Sequence, residues 1–239
     1  MADTEELEDR LGELLEEIAE LIEEDPEAAL ELAEKGDAEL STHPEVRLLR
    51  AHALWAAKGA GEARQALEQL VLDHADYADA HAELAAVHEE LGDEKKRVEE
   101  LLIVLDLDTA QDAERGFDAS EYEELVVRVA TETVEALPAK FRELLKGVPI
   151  LLAARPPLDL VREGFDPRAL GLFEGHDHAA HQNAEVMHGP TRIVLYTANL
   201  TAIAETEEEL SMEVETTVLH ELGHYFGLDD DDLEELGLD

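Results

Sequence analysis

Near its C-terminus the chain reads Val218-Leu219-His220-Glu221-Leu222-Gly223-His224-Tyr225-Phe226-Gly227-Leu228-Asp229-Asp230. Two histidines stand four apart, a glutamate follows the first, a glycine comes three residues after the second, and an acid three beyond that. On a helix, residues four apart lie one above the other, so His220 and His224 present two imidazoles to one point. Two neutral imidazoles so placed suit a zinc ion, and Glu221, angularly next to them, is positioned to act as a base. The chemistry is metal-assisted hydrolysis: the ion acidifies a bound water and the carboxylate takes its proton. A helix supplies no third ligand at a workable angle from its next turn. Gly227 lets the chain enter a left-handed conformation and turn back, bringing an aspartate under the metal. The two histidines and glutamate alone would arise by chance in roughly one such composition in ten; adding the glycine and the acid lowers this to about one in a thousand.

The helix that must carry these groups opens at Thr206, with Glu209 completing a capping-box pattern. Leu210, Val214, Val218, Leu222 and Phe226 then form a broad apolar arc, while Glu213, Thr217, His220 and His224 share the remaining flank. Such a helix is mostly buried with one side open to a cleft, as a metal site needs if it is to keep a position for water. Upstream, Ser120 and Glu123 form a second capping-box pattern, opening a helix to about Leu137. Pro138 resets it, and Phe141, Leu144 and Leu145 lead to Gly147. Strands are expected at 148–153, 170–174 and 191–198, with 154–169 a loop. In 191–198, Ile193 and Leu195 alternate with Arg192, Val194 and Tyr196. It is the expected edge on which an extended substrate adds, and Tyr196 or Tyr225 is the candidate donor to an oxyanion. Helix, strands, then helix describe a small α+β domain over residues 119–239.

Residues 1–108 read differently. Helices are expected at 4–24, 26–40, 45–58, 62–73, 78–91 and 94–106, with Pro26 and Pro44 marking restarts. Gly59 and Gly92, 33 residues apart, each close the first helix of a pair. That spacing belongs to helix-turn-helix repeats of roughly 34 residues. Leu84, Gly92 and Leu101 sit at consensus-like positions, so residues 5–108 resemble degenerate tetratricopeptide repeats; His81, Ala85, His88 and Arg97 replace the usual Trp, Gly, Tyr and Ala. The resemblance implies an all-α domain of helical hairpins with a concave surface for a partner protein or peptide. His52, His74, His81 and His88 are expected to be ordinary surface or groove residues. Residues 109–118 are polar and aperiodic and read as a linker.

Composition bounds the rest. The 239 residues contain no cysteine, so disulfides and thiolate zinc sites are excluded and any zinc must use His and carboxylates. The net charge of −43 is shared by both halves: 32 acids against 9 bases in residues 1–110, and 29 against 9 in 111–239. A surface this acidic repels nucleic acid and anionic membranes, which are excluded as partners. Only 6 of the 18 bases are lysine, a pattern that suits a high-salt environment. The first residues are acidic rather than basic-then-apolar and no apolar run approaches a membrane span, so a cytoplasmic location is expected.

The C-terminal half resembles the minimal zincin-like metallopeptidase family. The resemblance runs from Glu123-Glu124-Leu125 through Leu137-Pro138 and Phe141-Arg142-Glu143-Leu144-Leu145 to Gly171-Leu172-Phe173-Glu174-Gly175 and 192–196. It ends with the His220–His224 motif and Leu233-Glu234-Glu235-Leu236-Gly237. What it implies is a zinc-dependent peptidase holding one Zn²⁺ per chain through His220, His224 and an aspartate, with Glu221 as catalytic base and a peptide or protein as substrate. The counted position for that aspartate is Asp230, within a run of four acids at 229–232. His176, His178, His181 and His188 crowd residues 175–190 and offer a second metal site or a cleft lining. The competing reading is a non-catalytic binding module whose zinc only braces the C-terminal domain.

Overall fold

The computed structural model describes residues 2–35, 40–175 and 191–228. The chain divides into two compact units, Met1–Ala110 with Leu158–Gly164, and Gln111–Pro157 with Phe165–Asp239. Among the described residues no helix is long and apolar enough to cross a membrane.

The first unit is helical: α1 (Ala2–Glu24), α2 (Pro26–Lys35), α3 (Pro44–Lys58), α4 (Ala60–Asp73), α5 (Ala78–Glu90) and most of α6 (Glu94–Glu114). From α1 to α5 each helix packs on the next. Alanines make this close approach possible: Ala51, Ala63 and Ala80 are fully buried beside Leu67, Leu70 and Leu84. Gly59 (φ +89°) and Gly92 (φ +71°) follow α3 and α5 in backbone conformations that other residues rarely adopt. Three expectations change here. The segment read as a linker is helical as far as Glu114, because α6 continues past residue 106. His81 and His88 are buried rather than superficial. The His81 Nδ1 lies 2.6 Å from a Glu100 carboxylate oxygen, which partners the ring inside the bundle. Finally, the expected loop 154–169 contains a short helix, Leu158–Arg162 (α9 in chain order). Its Val161 is fully buried against Ala85, Leu101 and Leu105, and Arg97 donates to the Gly164 carbonyl at 2.8 and 2.9 Å.

The second unit holds α7 (Ser120–Ala136), α8 (Ala139–Leu144), β1 (Ile150–Ala153), β2 (Gly171–Glu174), β3 (Arg192–Tyr196), α10 (Thr197–Ile203) and α11 (Glu207–Phe226). The sheet order is β1-β3-β2, β3 being parallel to β1 and antiparallel to β2. β3 is therefore central, and the expectation that it is the free edge is corrected: its N–H and C=O groups are taken on both sides. Among the described residues the edges are β1 and β2. Tyr196 ends β3, and Thr197 onward is helical rather than strand. Ser120 does not cap α7; the Asp118 carboxylate accepts from both the Ser120 amide (2.9 Å) and its hydroxyl (2.7 Å), which holds that carboxyl below its ordinary range. The core lies where α7, β3 and α11 meet, built from Val126, Ile193, Leu195, Val214, Val218 and Leu222.

Candidate active site

α11 starts as its sequence requires. Thr206 accepts from the Glu209 amide at 3.2 Å, and the Glu209 carboxylate accepts from the Thr206 amide at 3.2 Å, so the capping box is reciprocal. Leu210, Val214, Val218, Leu222 and Tyr225 face the core. The burial of that arc orients the opposite flank without further design, because the 3.6-residue period ties the two faces together. The helix stops at Gly227, whose φ of +86° and ψ of 22° are left-handed, and the Leu228 amide bonds back to the Gly223 carbonyl at 3.0 Å.

On the flank the two imidazoles converge. His220 Nε2 and His224 Nε2 are 2.9 Å apart, with the ring planes at 80°. Two nitrogens on one tetrahedral zinc at about 2.0–2.1 Å each are about 3.3 Å apart, so the pair needs little adjustment to share an ion. The Leu228 carbonyl lies 3.3 Å from His224 Nδ1. A proton held there leaves the Nε2 lone pair pointing into the flank, the arrangement that orients metal-binding histidines. The donor set therefore fits zinc.

Glu221 is buried at 6 % exposure. What makes room for it is an absence: a Cβ on Gly171 would stand 2.8 Å from Thr217 Cγ2 and 3.0 Å from both Glu221 Cγ and Oε1. The first residue of β2 thus lies directly on the carboxylate side chain. Phe173, two residues on, stacks edge-on to Tyr225 at 5.6 Å, so β2 and α11 run the same way. Alternation along β2 explains the pairing, since residues 171 and 173 share a face.

A cleft of about 540 Å³ opens beside these groups. Phe165, Ala169, Leu170, Leu172 and Phe173 line one side, and Glu213, Thr216, Thr217, His220, Glu221 and His224 the other. Neither candidate tyrosine belongs to this lining. The Tyr225 hydroxyl donates to the Leu144 carbonyl at 2.9 Å. Tyr196 is buried against Phe165. Its phenol is pushed up to about 12, first by burial and then by the carboxylates of Glu174 and Glu221.

The wall opposite the helix is held by a polar network that sequence reasoning missed. Asn199 in α10 donates to the carbonyls of Pro167 (2.9 Å) and Ala169 (2.6 Å) and accepts from Arg155 at 2.6 Å. Arg155 in turn grips Asp112 through two bonds of 2.5 and 3.0 Å. The one available signal was an asparagine amid apolar residues after a strand. Gly171 gave a stronger one, since glycine heading an apolar strand marks a close approach.

Asp230, the counted third ligand, lies outside the described residues, as do the rest of 229–232, Glu234, Glu235, His176, His178, His181 and His188. Among the described residues no three His, Asp or Glu side chains gather as a metal site would require.

Residues 145–238 match the model of a family described as Zincin-like metallopeptidase. The match covers less than half of the chain, beginning at Leu145 rather than near residue 119 and leaving residues 1–144 outside it. No curated protein matches the chain.

Proposed function

We propose that the protein is a zinc-dependent peptidase whose metal is held by His220, His224 and Asp230 and whose general base is Glu221. The observation that carries this reading is the convergence of two Nε2 atoms at 2.9 Å beside a buried carboxylate, at the edge of a cleft. Zinc, when bound, acts as a Lewis acid that polarises a carbonyl and lowers the pKa of water from about 15.7 towards 7. The remaining work falls to the chain. The two imidazoles donate their Nε2 lone pairs. Glu221 holds the proton taken from the attacking water and delivers it to the leaving amine, a role that contributes about 10² to 10⁴ in rate. β2, as the edge strand lining the cleft, replaces β3 as the ladder on which an extended peptide is laid. The helical unit serves to recruit that substrate or a partner, as tetratricopeptide-like hairpins do.

A purely structural zinc would be closed by four protein ligands and would have no use for an adjoining cleft or for a carboxylate beside the first histidine. The test is Glu221→Gln in the full chain. The variant keeps wild-type zinc content by elemental analysis and loses at least a hundredfold in cleavage of a diverse peptide mixture, whereas His220→Ala loses the metal itself. Undiminished cleavage by the Gln variant would remove Glu221 from the mechanism.

A further inference from the structure

We infer that the cleft is a specificity pocket for a long aliphatic cation, so that the peptides cleaved carry an arginine or lysine seated against Glu213. The inference rests on the peptidase reading and adds the class of substrate. Because β2 and α11 run the same way, the part of the wall that precedes β2 lies along the part of α11 that precedes the histidines. There Phe165, Ala169 and Leu170 make an apolar surface, and Glu213 stands on the facing helix. Glu213 is two turns ahead of His220, about 10.5 Å along the axis, which is the length of about three extended residues.

The Glu213 carboxylate is only partly exposed and makes no ion pair with any described residue. Thr217 is not its partner, for the Thr217 hydroxyl donates to the Glu213 backbone carbonyl at 2.7 Å. Among the described residues lining the cleft there is no lysine or arginine, although two carboxylates are present. An apolar channel with a carboxylate that no described residue neutralises is complementary to a side chain that is hydrocarbon for most of its length and charged at its tip. A neutral apolar side chain would cover the wall but strip water from Glu213 without a partner, and an acidic one would add repulsion. The net charge of −43 acts in the same direction at long range, raising the local concentration of cationic peptides.

The experiment uses the full zinc-loaded chain and a peptide mixture read by mass spectrometry, followed by kcat/KM for matched peptides with arginine or norleucine at the preferred position. Arginine is expected to exceed norleucine by at least tenfold, and Glu213→Gln to bring that ratio to within about twofold of one. Glu213→Lys should make glutamate better than arginine at the same position. In parallel, anisotropy of the labelled arginine peptide is measured on Glu221→Gln protein with and without Glu213→Gln; at least tenfold weaker binding is expected when Glu213 is lost. Cleavage without cationic preference, or a preference that survives Glu213→Gln, overturns the pocket and leaves the peptidase reading intact. Absence of any cleavage overturns the peptidase reading, and the binding comparison then decides the pocket alone: equal affinities refute it.

Discussion

Placing a methyl group on Gly171 tests whether β2 and the carboxylate of α11 are in the contact described. The new Cβ would meet Thr217 Cγ2 at 2.8 Å and Glu221 Cγ and Oε1 at 3.0 Å. Carbon atoms at rest sit about 3.5–4.0 Å apart, so the contacts must open by roughly 0.5–1 Å. Little can give. Gly171 is held in register with Leu195 in the ladder, and Thr217 and Glu221 are each 6 % exposed. Overpacking of this kind costs about 1–3 kcal/mol, and a base moved by about 1 Å loses on the order of 10² in rate. Gly171→Ala should therefore unfold at lower urea with a loss of about 2 kcal/mol, keep its zinc, and cleave peptide about a hundredfold more slowly. Adding Thr217→Ser removes the 2.8 Å contact but leaves both contacts with Glu221. The double variant should regain part of the stability while hydrolysis stays low, a split that an ordinary core defect would not produce. A Gly171→Ala protein with wild-type stability and rate would refute the contact and the argument built on it.

The buried Arg155–Asp112 pair has side-chain exposures of 9 % and 12 %. Removing one partner of such a pair costs about 3–5 kcal/mol; Arg155→Ala should sit at the low end, because Arg115 also reaches Asp112 at 2.7 Å. Urea unfolding measures this, and a loss below about 1 kcal/mol would show that the network does not hold the cleft wall. His88 bears on pH. Burial, with Lys96 adding to it, lowers the imidazole below its ordinary 6.5, against the opposing pull of Asp93, Glu100 and Glu68. The unfolded chain then binds the proton first as pH falls, so the stability tied to the neutral ring is present above about 6.5 and is lost below it. His88→Leu should flatten the fall in unfolding free energy between pH 7 and 5; equal slopes in the two proteins would count against it.

Much of α11 was legible in the chain. The Thr206–Glu209 capping box, the apolar arc through Leu222 and the left-handed Gly227 follow from local rules that act within a few residues, and all three are present in α11. Gly59 and Gly92 likewise end helices for reasons internal to the glycine backbone. Local rules failed where a distant partner intervened. The central place of β3 and the edge position of β2 depend on which strands meet, which the alternation of apolar residues in either strand does not encode. Ser120 is already the first residue of α7, and its amide and hydroxyl both donate to Asp118 instead of capping the helix. Burial of His81 followed from Glu100, 19 residues away, offering its ring a partner.

The sequence by itself determined that two imidazoles and a glutamate share one face of a buried helix, since that follows from a period of 3.6 residues and an apolar stripe. Only the tertiary structure decided what stands opposite that face. It brought Gly171 onto Glu221, left both tyrosines out of the cleft lining, and set Glu213 across from an apolar wall. The physical reason is range: helix geometry is propagated by bonds between near neighbours, whereas the cleft exists because segments some 40 residues apart are packed against each other by the core they both bury.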